Sequence, residues 1–177
     1  MSVRVLRLLP VCLTIAFTGC EESTFVDLPP ATSIGHGADQ RADGTAVGRI
    51  RIRDEITLAT WNLQVFGQGK LRKPQAMSVI VDVIRRFDVV AIQEVRSQDQ
   101  SVLTTLENLI NEDGSQYELV IGPRIGRSSS KEQYVYIYDT TRIELIPGSV
   151  FTVGDPRDRL HREPLVAGFR WLPDSAW

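Results

Sequence analysis

The sequence is poor in the residues that build cross-links and zinc cages: 177 residues hold two cysteines, Cys12 and Cys20, and two histidines, His36 and His161. His36 has no second ligand type at helical or hairpin spacing, so a solvated histidine is expected there rather than a metal ligand. His161 reads as an ordinary loop histidine. A basic excess is also missing, since 20 Lys and Arg face 22 Asp and Glu. That excludes a broad cationic coat for nucleic acid and leaves any polyanion to be met by a local cluster or through a metal. The apolar run at residues 11–17 falls short of the roughly 20 residues a spanning helix needs. Internal repeats and low-complexity tracts are absent. The remainder is an ordinary globular composition, 42% hydrophobic and 24% charged, long enough for one buried core.

Arg4 and Arg7 precede that apolar run, which stops at Phe17-Thr18-Gly19-Cys20. A basic start, a short apolar stretch and small residues before a cleavage point are the parts of a signal peptide. The small residues directly before Cys20 resemble the lipobox of bacterial lipoproteins, which implies lipidation of Cys20 and a lipid-anchored protein of the cell envelope, periplasmic or on the outer surface. A plain signal peptide, giving a secreted protein, or a short uncleaved anchor is the alternative. Cleavage before Cys20 leaves one cysteine and no internal disulfide. It also removes two basic and no acidic residues, leaving 18 against 22.

Residues 20–48 mix Pro, Gly, Ala and Asp without periodicity and are expected to be a flexible tether. A domain is expected over 49–177. Ile50, Ile52, Ile56, Leu58 and Thr60 stand at even positions among polar or small partners, which predicts a strand with one buried face. Gly67 and Gly69 are expected to end it. Pro74 then leads Ala76, Val79, Ile80, Val83, Ile84 and Phe87 at helical spacing, predicting an amphipathic helix. The run Val89-Val90-Ala91-Ile92 predicts a strand covered on both faces, ending at Gln93-Glu94 because an unpaired carboxylate cannot continue an apolar interior. A second helix is expected around Val102, Leu103, Leu106, Leu109 and Ile110, closed by Asp113-Gly114. Strands follow at 117–121, 134–138, 143–146, 150–153 and 165–171, separated by Gly- and Pro-marked reversals. The prediction is an α/β domain with a mixed β-sheet and flanking helices. Asn62 and Glu94 fall at the carboxyl ends of two strands joined by one helix, where open α/β sheets bind ligands.

Four blocks carry a family likeness: residues 61–67 (Trp-Asn-Leu-Gln-Val-Phe-Gly), 88–96 (ending Gln-Glu-Val-Arg), 126–134 (Gly-Arg-Ser-Ser-Ser-Lys-Glu-Gln-Tyr) and 162–164 (Arg-Glu-Pro). Their order and spacing resemble the endonuclease/exonuclease/phosphatase superfamily, and within it the deoxyribonuclease I branch. The resemblance covers residues 56 to 170 and implies the N-terminal half of a four-layer α/β sandwich. It implies that Glu94 holds Mg²⁺, with Mn²⁺ or Ca²⁺ as alternatives, and that Asn62 orients the metal or the phosphate. A hard divalent ion commonly takes only one or two protein carboxylates. Glu132 matches a glutamate that helps place a catalytic histidine, and Arg96 and Arg162 match arginines near a bound phosphodiester backbone. The plainer readings are a strand-end Glu94 paired with Arg96, and surface charges at the other positions.

Two departures bear on substrate. Gln64 stands where the branch has a basic residue, and Ser130 where it has an aromatic against a sugar in the minor groove. The superfamily's later histidine, Asp-x-Asn and Asp-His are absent from the sequence, so a truncated domain of about one sheet, its inner face open and its activity impaired, is expected. The expected function is a metal-dependent phosphodiester hydrolase, an endonuclease acting on DNA. A non-catalytic envelope binding protein and a lipid or phosphate-ester phosphodiesterase are the alternatives. The expected partners are nucleic acid and, through the lipid, a membrane, with no obligate protein partner.

Overall fold

The computed structural model describes strands Val3–Leu8 and Leu13–Ala16, residues 55–127 and residues 129–172. The expected tether, with His36, and the expected lipidation residue Cys20 lie outside the described residues, as does the start of the domain at 49–54.

The first long strand, β3 (Ile56–Phe66), is buried on both faces rather than one. Its even residues Ile56 and Leu58 join one apolar cluster and its odd residues Ala59, Trp61 and Leu63 join another. Alanine and threonine between larger residues disguise this in the sequence, because a small residue against a packed neighbour fills its side as well as a large one does. The strand runs to Phe66, directly before Gly67. A single helical turn, α1 (Gln68–Leu71), then leads into α2 (Pro74–Ile84), whose Pro sits in the first turn. Helix α2 stops three residues short of Phe87, which still packs against the core. Strand β4 (Val89–Val95) follows and lies parallel to β3, as a helical crossover requires.

Helix α3 (Ser101–Asn111) buries Val102, Leu103, Leu106 and Ile110. Arg85 caps its end, donating from Nε to the Ile110 carbonyl at 2.9 Å and from Nη2 to the Leu109 carbonyl at 3.0 Å. Those are carbonyls the helix itself cannot satisfy. Strands β5 (Tyr117–Ile121) and β6 (Gln133–Asp139) complete the main sheet, in which β6 pairs antiparallel with both β4 and β5. The sheet is therefore mixed, in the order β1-β3-β4-β6-β5, with β1 being Val3–Leu8 paired antiparallel to β3.

A second sheet exists, contrary to the expectation of one sheet with an open inner face. Strand β9 (Leu165–Trp171) carries β7 (Ile143–Leu145) on one side, β2 (Leu13–Ala16) on the other, and a short β8 (Phe151–Thr152). Its Leu165, Ala167, Phe169 and Ile143 pack on Ile56, Leu58, Val89, Ala91, Tyr136 and Tyr138 of the first sheet. Phe169 meets Tyr136 edge to face at 5.6 Å and Tyr138 at 5.4 Å between ring centroids. Offset and edge-on aromatic pairs of this kind add to the burial itself. Both β1 and β2 fall inside the segment expected to be a leader. Among the described residues no helix is long and apolar enough to cross a membrane.

The layers are thus two helices, a mixed sheet and a smaller antiparallel sheet. At one end of the sheet a buried ion pair enters the interior, where Arg142 Nε lies 2.8 Å from Asp88 Oδ1. Asp88 Oδ2 also accepts from the Thr57 amide at 2.7 Å and its hydroxyl at 2.9 Å. This pair ties the starts of β3 and β4 to the turn after β6, at the end of the sheet opposite Asn62 and Glu94.

Candidate active site

The carboxyl ends of β3 and β4 break register together. Pairing runs regularly to Asn62 opposite Gln93 and resumes at Phe66 opposite Val95, so three residues of β3, from 63 to 65, face one residue of β4, Glu94. Against β6 the same strand skips from Ile92 opposite Val135 to Val95 opposite Gln133. A bulge re-aims a side chain without ending the strand, which is why Glu94 does not terminate β4 as its charge predicts. Three of the four non-glycine residues with positive φ among the described residues are here: Gln64 at 51°, Val65 at 63° and Glu94 at 61°. Each costs about 1–2 kcal/mol relative to ordinary backbone, and for a β-branched residue such as Val65 the region is a true outlier. Strain of this sort persists where surrounding contacts over-determine it, and such places are often functional.

Those contacts are specific. Asn62 Nδ2 donates to Glu94 Oε1 at 2.9 Å, and the Val65 amide donates to Glu94 Oε2 at 3.0 Å. Asn62 Oδ1 in turn accepts from the Gln64 amide at 2.7 Å. The Glu94 carboxylate is consequently held from two sides by neutral donors, with a quarter of its side chain exposed. On the far side of the turn, Lys70 donates to the carbonyls of Leu63 and Gln64. Burial lowers its pKa from the usual lysine value, Lys73 adds to the lowering, and Glu94 opposes it.

Arg96 extends the network. Its amide donates to the Phe66 carbonyl at 2.9 Å, its Nη2 lies 3.6 Å from Glu94 Oε2 and its Nε lies 3.5 Å from Glu132 Oε2. Glu132 is buried and is also paired, through Oε1, with Arg162 Nε. It enters β6 from a loop closed by reciprocal amide–carbonyl bonds between Ile125 and Glu132 at 2.9 and 3.0 Å. A buried carboxylate needs such partners to stay ionised at reasonable cost.

All five residues singled out from sequence therefore meet in one line of contacts: Asn62, Glu94, Arg96, Glu132, Arg162. Gln64 and Ser130 are exposed near it, and His161 is exposed one residue before Arg162. Two basic residues in this region were not foreseen. One is Lys70. The other is Arg124, whose guanidinium donates to the carbonyls of Arg96, Ser97 and Lys131, clamping the loop that carries Arg96 to the loop that carries Glu132. Neither has a sequence signal, because both act on backbone carbonyls that only the folded turn presents.

Among the described residues no three His, Cys, Asp or Glu side chains converge as a preformed cage. One oriented carboxylate with an amide beside it nevertheless suits a hard ion that keeps waters and substrate oxygens in most of its shell. Glu94 is the residue that would hold it. Asn62, with both polar atoms engaged, orients Glu94.

A model of the Endonuclease/Exonuclease/phosphatase family matches residues 59–173. The chain belongs to this family. Every one of the five contact residues falls inside the matched segment, whereas Cys20 precedes it. Among curated proteins, human Deoxyribonuclease-1 is 29% identical over 118 residues, 64% of this chain and 42% of its own length. Bovine Deoxyribonuclease-1 is 29% identical over 126 residues, 69% of this chain and 45% of its own. Mouse Deoxyribonuclease-1-like 2 is 31% identical over 115 residues, 64% of this chain and 41% of its own. The chain thus spans less than half the length of these relatives. Its mixed α/β architecture agrees with the family's fold.

Proposed function

We propose that these residues form the metal- and phosphate-holding part of a metal-dependent phosphodiester hydrolase, an endonuclease acting on DNA. The observation that supports it most is the continuous line from Asn62 and Glu94 through Arg96 to Glu132 and Arg162, in a family member similar to deoxyribonucleases. The guanidiniums of Arg96 and Arg162 suit the oxygens of a phosphodiester. Glu132 lies between them and fixes their separation and direction, while Asn62 fixes Glu94. A divalent cation, when bound at Glu94, supplies Lewis-acid stabilisation of charge on the phosphate. Local basic groups matter in a chain that is net acidic, since attraction of a polyanion must come from this face. We further propose a bacterial envelope location through lipidation of Cys20, on the basic start, the apolar run and Thr18-Gly19-Cys20; processing there would remove β1 and β2, which occupy edge positions of the two sheets.

A second reading within the same chemistry, hydrolysis of lipid or small phosphate esters, is favoured by exposed Gln64 and Ser130 at positions where a basic and an aromatic residue would grip a DNA groove. The test uses the 177-residue chain and its Glu94→Gln variant with Mg²⁺ or Mn²⁺. Binding and cleavage are measured on duplex DNA, RNA, sphingomyelin vesicles and inositol phosphates. Metal-dependent binding or cleavage of duplex DNA, lost in the variant, supports the main reading. Turnover or binding confined to a lipid or small ester would replace it with the second, and a chain indifferent to metal and to every substrate would remove both.

A further inference from the structure

The turn that presents Glu94 is made of residues that resist its geometry. Gln64 and Val65 take φ of 51° and 63°, and the amides of both are spent on the site, one on Asn62 Oδ1 and one on Glu94 Oε2. Amides can face inward only if the carbonyls on the same stretch face outward, where they converge at short range and repel one another. Lys70 meets that need. Its ammonium reaches back from the single-turn helix α1 to the carbonyls of Leu63 and Gln64, the latter at 2.7 Å. A lysine ammonium has three donors and a full charge, and it can serve two converging carbonyl dipoles at once.

We propose that Lys70 is a positioning residue of this site, acting through the backbone: it holds the left-handed Gln64–Val65 turn whose amides fix Asn62 and Glu94. The proposal rests on the metal-holding reading of Glu94 for its functional consequence, though not for its structural content. Lys70 does not face the substrate in this role. It sets where the carboxylate of another strand stands, across a bulge that would otherwise relax into ordinary β backbone.

The experiment compares wild-type chain with Lys70→Met, which keeps length and removes charge, and Lys70→Arg, which keeps charge and donors. Two quantities are read on each: Mn²⁺ affinity by calorimetry, and amide hydrogen exchange at Gln64 and Val65 with Val90 and Ile92 as core controls. Lys70→Met is expected to weaken Mn²⁺ binding by about tenfold or more, to speed exchange at Gln64 and Val65, and to leave the core amides unchanged. Lys70→Arg is expected to restore most of both. Unchanged exchange at Gln64 and Val65 in Lys70→Met overturns the proposal, and so does equal speeding of the core amides, which would mark a general loss of stability. Absence of Mn²⁺ binding in the wild type sinks the metal reading of Glu94, while the exchange rates still decide whether Lys70 holds the turn.

Discussion

Asn62 Nδ2 lies 2.9 Å from Glu94 Oε1, joining the ends of two parallel strands that are 32 residues apart in the chain. The contact orients a carboxylate by a neutral donor, which leaves its charge available to a ligand. Replacing Asn62 by Ala removes a hydrogen bond to a charged group and is expected to cost about 1.5–3 kcal/mol. Asn62→Asp is the more telling change. Two carboxylates at that distance cannot both ionise cheaply, so one has its folded-state pKa raised above the unfolded value. A raised acid pKa means that stability falls as pH rises through it. Asn62→Asp should therefore be less stable than Asn62→Ala at pH 7 and recover on acidification toward pH 4, as read by urea unfolding at the two pH values.

Val65 combines a positive φ with a side chain that is more than half exposed. Glycine there loses little burial and removes the steric penalty, against its greater freedom in the unfolded chain. Val65→Gly is expected to stabilise the protein by about 1 kcal/mol, a rise in Tm of roughly 2–4 °C for a chain of this size. Calorimetric melting checks it, and a drop in Tm would show that the strain assigned to this turn is absent.

In the Asp88–Arg142 ion pair both side chains are nearly fully buried. Cutting it from one side strands a charge. Arg142→Met is expected to cost about 3–5 kcal/mol. The double variant Asp88→Asn, Arg142→Met should recover part of that loss, because a stranded charge, more than a lost attraction, makes the single change expensive. Denaturant midpoints of the three proteins test this.

Glu107 of α3 has its pKa raised by burial first and by the like charge of Glu118, on β5, second. Tyr138 hydroxyl donates to Glu118 Oε2 at 2.6 Å, and its own pKa is raised by burial and by that neighbour. With a raised folded pKa, Glu107 favours folding below the usual carboxylate range and opposes it above. Glu107→Gln should be the more stable protein at pH 7 by roughly a few tenths of a kcal/mol after allowance for solvent screening, and the advantage should vanish near pH 4.

Much of this organisation is legible in the residues. Helical spacing from Pro74 and from Val102 locates α2 and α3 to within a few positions, and the apolar run 89–92 locates β4. Asn62, Glu94, Arg96, Glu132 and Arg162 are picked out as candidates by their blocks, and the fold brings them into contact. The second burying face of β3 is not legible, because Ala59 and Thr60 give no sign of how closely the neighbouring layer approaches. Nor is the second sheet, since three of its strands are only two to four residues long and carry too few alternations to show a period.

The sequence by itself determined the types of the longer elements after residue 55, the family and the identity of the charged groups, since these depend on local periodicity and on residue chemistry read in order. The tertiary structure alone decided that β4 continues through a carboxylate, that β3 and β4 bulge together, and that Lys70 and Arg124 hold the loops on either side. The reason is physical: a left-handed turn and a converging pair of carbonyls are properties of a packed backbone, and no single residue announces them.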